Sequence, residues 1–224
     1  MKVVISLGGI FFADAEKVKA VAAIFDELAE SCSLCIVTGG GERAREYIGL
    51  ARDLGANEAF CDYMGIALTR INAKLLIAAL KNAYPEPLLD YTDVDVATVN
   101  GEDGRIAVMG GVSPGHTTDA VAAILAEYVN ADLLLIVTSV DGVYDADPRT
   151  DPNAKKFDKL SPKELVALTM KGKLKAGSRI VIDPVAAKII ERSGMKTIVI
   201  DGRSNPRAII DAVKGEHHGT EISE

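Results

Sequence analysis

Arg105 to Thr138 reads RIAVMGGVSPGHTTDAVAAILAEYVNADLLLIVT. An apolar strand, Ile106 to Met109, runs into a glycine-rich loop at residues 110–118. A helix is predicted from Asp119 to Val129, and a second apolar strand from Leu133 to Thr138. Continuous apolar strands around a helix indicate a parallel βαβ unit covered on both faces. Where the loop meets the helix, free backbone N–H groups and the helix dipole make a seat for an anion such as phosphate. Gly110, Gly111 and Gly115 permit close approach, Thr117 and Thr118 add hydroxyls, and Asp119 adds a negative charge that calls for a cation or metal beside a phosphate. The same stretch also reads as a plain connection whose threonine caps the helix.

The pattern repeats towards the N-terminus. Lys2 to Leu7 is a strand running into Gly8-Gly9-Ile10, with a helix from about Asp14. Leu34 to Thr38 is a strand running into Gly39-Gly40-Gly41, then a helix carrying Arg45 one turn in. Three successive glycines let a ligand lie against the main chain, and a guanidinium there can fork onto phosphate oxygens. Asp62 precedes a long apolar stretch, Tyr63 to about Ala83. It reads either as that helix's N-cap or as a carboxylate for ribose hydroxyls. Asp90 to Val96 is open between strand and short helix.

Towards the C-terminus, Thr138-Ser139-Val140-Asp141-Gly142-Val143-Tyr144-Asp145-Ala146-Asp147-Pro148 follows a buried strand, where open α/β sheets place ligands. Tyr144 would cover a flat base, although the stretch also reads as a polar hairpin. Ser161-Pro162-Lys163-Glu164 is a capping box. Lys171, Lys173 and Lys175 form a basic stretch, suited to a polyphosphate or simply solvated. Asp183-Pro184 opens a helix that Gly194 closes, Thr197 to Ile200 is a strand, Asn205-Pro206 opens the last helix, and residues 216–222 end the chain as a strand bearing surface histidines His217 and His218.

These alternations predict an α/β fold with a mainly parallel central sheet between helical layers, as a single domain over residues 1–224. Four loops, at Gly8, Gly39, Gly110 and Thr138, would gather along one sheet edge and form a groove for more than one phosphate-bearing group. Neither G-x-x-x-x-G-K-[ST] nor G-x-G-x-x-G is present. The net charge of −7 argues against nucleic acid or an anionic membrane as partner. Three cysteines, with Cys32 and Cys35 spanning a helix end and a strand, fit a reducing compartment better than a redox or metal site. No apolar run reaches the roughly 18 residues of a membrane span, so a cytoplasmic protein is expected.

The quoted motifs resemble the amino-acid kinase superfamily and, within it, the uridylate (UMP) kinases of archaeal type. The resemblance runs from Lys2 to Ile222. It is carried by Ser6-Leu7-Gly8-Gly9, by Gly39-Gly40-Gly41 with Arg45, by Asp62-Tyr63-Met64-Gly65 and by Gly115-His116-Thr117-Thr118-Asp119. Beyond these lie Thr138 to Tyr144 with Asp147-Pro148, then Asp183, and the ending Gly215-Glu216-His217-His218-Gly219-Thr220. The resemblance implies a three-layer αβα sandwich, a homohexamer, and transfer of the γ-phosphoryl of ATP to UMP with Mg²⁺. On this basis Gly9, Ile10, Gly41 and Arg45 line the ATP phosphates, and Thr138, Ser139, Tyr144 and Asp147 hold its adenosine side. Gly40, Asp62 and Val112-Ser113-Pro114-Gly115-His116-Thr117-Thr118 hold UMP. The acceptor half is mainly N-terminal, and the ATP half runs from about residue 133. Asp119 would orient a lysine or a metal-bound water.

The chain departs from relatives at two positions. Ser6 stands where many carry a lysine, and Ile180 stands where many carry a second. Lys2, Lys173 or Lys175 is therefore expected to supply the cationic clamp, with Arg45, Asp119 and Lys175 as the catalytic set. Two other readings stay open: a sister kinase, such as one acting on isopentenyl phosphate, and a non-catalytic nucleotide or oxyanion binder.

Overall fold

A computed structural model of the chain describes residues 1–95, 105–146, 148, 150–171, 182–203 and 205–224. Seven strands form one sheet: β1 (Lys2–Leu7), β2 (Ser33–Thr38), β3 (Ala107–Met109), β4 (Leu133–Thr138), β5 (Lys159–Leu160), β6 (Thr197–Asp201) and β7 (Thr220–Ile222). Their spatial order is β3-β2-β1-β4-β6-β7-β5. Every pairing is parallel except β6 with β7. The helices are α1 (Ala15–Ala29), α2 (Gly41–Asp53), α3 (Glu58–Ala79), α4 (Thr118–Tyr128), α5 (Pro162–Lys171), α6 (Pro184–Ser193) and α7 (Ala208–Val213).

Alternation along the strands divides the core in two. Val3, Ile5 and Leu7 of β1, with Leu34 and Ile36 of β2, pack under α1, α3 and α7. Val4 of β1, with Cys35 and Val37 of β2, packs under α4, α5 and α6. The expected sandwich of helices on both faces of a mainly parallel sheet is therefore observed. This parity also decides the site. Ser6 falls on the α4 face, and Thr38 falls on the α3 face.

Local signals set the element ends. Asp14 caps α1 by accepting the Lys17 N–H. Ser161 and Glu164 exchange the two bonds of a capping box at α5. Asp183 caps α6, and Gly194 closes it with φ +65°. The long helix α3 differs from expectation. Asn57 is its cap, accepting the Phe60 N–H at 2.9 Å, so Asp62 lies within the helix and is not its cap. The helix ends at Ala79, short of the expected Ala83, and Ala83 pairs instead with Ile106 at the sheet edge. The expectation for Asp90 to Val96 lies partly outside the described residues; Asp93 accepts the Leu89 and Asp90 N–H groups in a turn. Cys32, Cys35 and Cys61 are all free thiols.

Candidate active site

Because β1, β2, β3 and β4 are adjacent and parallel, their C-terminal ends open on one edge of the sheet. A cleft of about 560 Å³ lies there, and all four loops line it: Gly8 and Gly9, Gly39 to Gly41, Gly111 with Gly115 to Asp119, and Thr138. The first two loops touch main chain to main chain. A Cβ on Gly9 would fall 1.9 Å from the Gly41 nitrogen. Gly41 itself has φ +71°, a conformation glycine adopts without strain. The N-termini of α2 and α4 thus both face the cleft, and their first-turn amides lack intrahelical partners.

Asp119, in the first turn of α4, is a half-buried carboxylate of the cleft wall. Its Oδ1 accepts the Ser6 hydroxyl at 2.6 Å. Desolvation pushes its carboxyl up to about 6; the Ser6 hydrogen bond opposes this, and the neighbouring Asp183 charge adds to it. Asp119 was expected to orient a lysine or a metal-bound water; among the described residues it is Ser6 that donates to it. Asp183 joins the network on its other side. Its Oδ1 accepts the Val185 and Ala186 N–H groups, and its Oδ2 accepts the hydroxyl of Thr117. Thr117 in turn caps α4 through the Ala120 N–H. One carboxylate therefore ties the start of α6 to the start of α4.

Asp62 projects from the second turn of α3 and accepts the Gly115 N–H at 2.8 Å. It holds the 113–118 loop from across the cleft, a role the helix interior permits and a cap position would not. Arg45 is the one Lys or Arg side chain lining this cleft among the described residues. Ile10 lines a smaller cavity of about 310 Å³ behind the Gly9–Gly41 contact, which Arg45 also borders. His116, Thr117 and Thr118 line the main cleft. Val112 packs against the α4-side core, and Ser113 and Pro114 lie outside the cleft wall.

Other expected residues are not brought to the cleft. Ser139 and Tyr144 stand in the loop beyond β4, where the Tyr144 hydroxyl donates to Asp141 at 2.8 Å. That bond pushes the Tyr144 phenol up from its ordinary range. Asp147, Lys173, Lys175 and Ile180 lie outside the described residues. Lys2 is excluded as the clamp. It begins β1, about 16 Å of extended chain from Leu7, and its Nζ donates to the Val129 carbonyl at the far edge of the sheet. His217 is also not a simple surface residue. Its Nδ1 is enclosed and unpartnered, and burial lowers its basicity.

Several residues that shape the site were given no role from the sequence. Thr220 Oγ1 accepts the Val143 N–H at 2.8 Å and donates to the Phe157 carbonyl at 2.5 Å. Lys156 donates to the His218 carbonyl at 2.6 Å. The Gly-Thr ending thereby clamps both sides of the 139–157 loop. Thr38, Thr69 and Asn72 are buried polar groups under the glycine loops. The available signal was two uncharged polar residues three apart, Thr69 and Asn72, on one face of a mainly apolar helical run.

The family model for the amino acid kinase family matches residues 1–201. The chain belongs to the amino acid kinase family. It is 52% identical over 220 residues to a uridylate kinase from Methanococcoides burtonii, covering 96% of this chain and 92% of that protein. The crystal structure of uridylate kinase from Archaeoglobus fulgidus superposes with a TM-score of 0.90 at 48% identity, covering all of both chains. Aspartate kinase from Synechocystis shares the fold alone, with a TM-score of 0.75 at 20% identity over 40% of its own length.

Proposed function

We propose that the chain is a uridylate kinase, passing the γ-phosphoryl group of ATP to UMP to give UDP and ADP. One observation carries this reading. Four strand-end loops wall a single cleft, in a chain about half identical over its length to uridylate kinases. Phosphoryl transfer has a loose transition state, so holding both phosphates in line and stabilising charge are what catalysis requires. Amides at the starts of α2 and α4 supply donors for this, and Arg45 supplies a fixed positive charge.

In this assignment Gly9, Ile10, Gly41 and Arg45 meet the ATP phosphates, and Gly40, Asp62 and residues 112–118 hold UMP. Thr138, Ser139, Tyr144 and Asp147 serve the adenosine side. The chain works as one domain, its N-terminal part mainly for UMP and its part from about residue 133 mainly for ATP. Among the described residues no trio of acidic, histidine or cysteine side chains could chelate a metal. Mg²⁺ therefore fits as an ion carried on the nucleotide phosphates, with Asp119 of the cleft wall helping to hold it. Bound there, it would offset phosphate charge. Lys175 remains the assigned second cation, with Lys173 as its alternative.

The assembly we infer is a homohexamer. In support, Tyr47, Leu50 and Leu54 of the α2 segment, with Phe60 and Tyr63 of α3, are exposed apolar side chains; Leu54 is 88% exposed. No helix among the described residues is long and apolar enough to cross a membrane. Free thiols fit a reducing compartment, and we place the protein in the cytoplasm.

ADP release coupled to a reporter, with UMP, CMP, dTMP and isopentenyl phosphate as acceptors, tests the reading. Turnover with UMP at least about tenfold above the others is expected. Preference for isopentenyl phosphate, or ATP binding with no turnover on any acceptor, would overturn it.

A further inference from the structure

Helix α3 sends three polar side chains towards two different glycine loops. Asn72, 5% exposed, donates from Nδ2 to the carbonyls of Gly39 and Gly40 at 2.7 and 3.4 Å. Thr69, 6% exposed, accepts the Gly111 N–H at 2.7 Å and donates to the Ile66 carbonyl at 2.6 Å. Arg70 Nε donates to the Gly111 carbonyl at 3.1 Å. Beneath them, the fully buried Thr38 hydroxyl donates to the carbonyl of Thr69 at 2.9 Å and also lies 3.3 Å from that of Met109. The Thr69 hydroxyl both accepts and donates within the protein, and the Asn72 amide nitrogen is likewise engaged by main-chain carbonyls. Their partners are the loops that wall the cleft.

A trans peptide fixes the direction of each amide. The carbonyl of one residue and the N–H of the next point in opposite directions across the plane. Asn72, by drawing in the Gly39 and Gly40 carbonyls, turns the N–H groups of Gly40 and Gly41 away from α3. Arg70, by drawing in the Gly111 carbonyl, turns the Val112 N–H away likewise. Thr69 holds the Gly111 N–H itself and withdraws it from any ligand. There is little slack: a Cβ on Gly110 would fall 2.6 Å from Thr69 Oγ1. Burying a hydroxyl and an amide costs free energy that apolar side chains would not. Ala73 and Leu76, further along α3, are buried and apolar. The polar groups therefore sit where the helix meets the glycine loops.

We propose that Thr69 and Asn72, with Thr38 beneath, are positioning residues that aim the main-chain amides of both nucleotide loops, so that one helix sets donor and acceptor geometry together. Thr69 acts on the 110–118 loop and hence on UMP; Asn72 acts on the 39–41 loop and hence chiefly on the ATP phosphates. This rests on the uridylate kinase reading above. The test measures turnover and calorimetric binding of UMP and ATP for the wild type, Thr69→Val, Thr69→Ser and Asn72→Leu.

Thr69→Val is expected to raise the KM and Kd for UMP about tenfold while moving those for ATP less than threefold, and Thr69→Ser to restore the wild-type values. Asn72→Leu is expected to lower kcat/KM for ATP about tenfold. Should Thr69→Val not fold, Thr38→Val against Thr38→Ser carries the same comparison. The proposal is overturned if Thr69→Val leaves UMP affinity within twofold, if Ser is as impaired as Val, or if both nucleotides weaken equally. A wild type that binds both nucleotides without turning over UMP would sink the kinase reading alone, because the binding data still judge the positioning role. A wild type that binds neither overturns both.

Discussion

The Ser6–Asp119 pair concentrates the chemistry at the scale of single residues. Asp119 has its carboxyl pushed up to about 6 by burial, so the folded protein binds that proton more tightly than the unfolded chain does. The associated stability is fully present below the ordinary carboxylate value near 3.8 and is lost as pH rises through about 6. Asp119→Asn should therefore be more stable than wild type at pH 7.5, by about 1–3 kcal/mol, with the difference vanishing below about pH 3. Thermal melts across that range would check it; a constant difference would contradict it. The same substitution should lower kcat by about 10²-fold or more. The kcat/KM, which reports the free enzyme, should fall on the acid side with an apparent pKa near 6. Ser6→Ala removes the one hydrogen bond that lowers this value, so the acid limb should move upwards in a pH–rate profile. Arg45→Ala should cost about 10²-fold in kcat/KM, and Arg45→Lys should recover only part of it, because an ammonium cannot fork. That Arg45 and Asp119 line the cleft was legible from residue type and place after a glycine turn. The partner of Asp119 was not. It follows from which face of β1 each side chain takes, and a motif read along the chain does not carry that parity.

At the scale of elements, strand, loop and helix order was legible because apolar runs and glycine punctuation are local signals. Capping at Ser161 and Asp183 was legible for the same reason. The start of α3 was misread because Asn57 and Asp62 are both good caps, and the choice turns on which carboxylate or amide meets the first-turn amides. In the structure Asp62 spends its carboxylate on the Gly115 N–H instead. The C-terminal Gly-Thr ending was recognised as a motif without a mechanism. Its mechanism needs β7 to run antiparallel beside β6, which puts Thr220 against Val143 and Phe157. Thr220→Val should free the 139–157 loop and raise the KM for ATP about five- to tenfold, leaving the KM for UMP within twofold. Initial-rate kinetics with each substrate varied would check this, and equal change in both would contradict it.

At the scale of the whole molecule, the parallel order β3-β2-β1-β4 is what makes four separate loops into one cleft. The gathering was foreseeable because helices joining parallel strands leave all strand ends of one kind on one edge. Which apolar side chains stay exposed was not, since apolar side chains for a core and for an outer face look alike in sequence. Replacing Leu50 and Phe60 together by Asp should dissociate the inferred hexamer without unfolding the chain, read by sedimentation velocity beside circular dichroism. An unchanged sedimentation coefficient would place the interface elsewhere. The central claim is that both nucleotides occupy the cleft at once and the phosphoryl group passes directly between them. Stereochemistry tests it most directly, with ATP made chiral at the γ-phosphorus by oxygen isotopes. A single in-line transfer to UMP predicts inversion at phosphorus in the UDP formed; retention would mean a phosphorylated enzyme intermediate and would contradict the account.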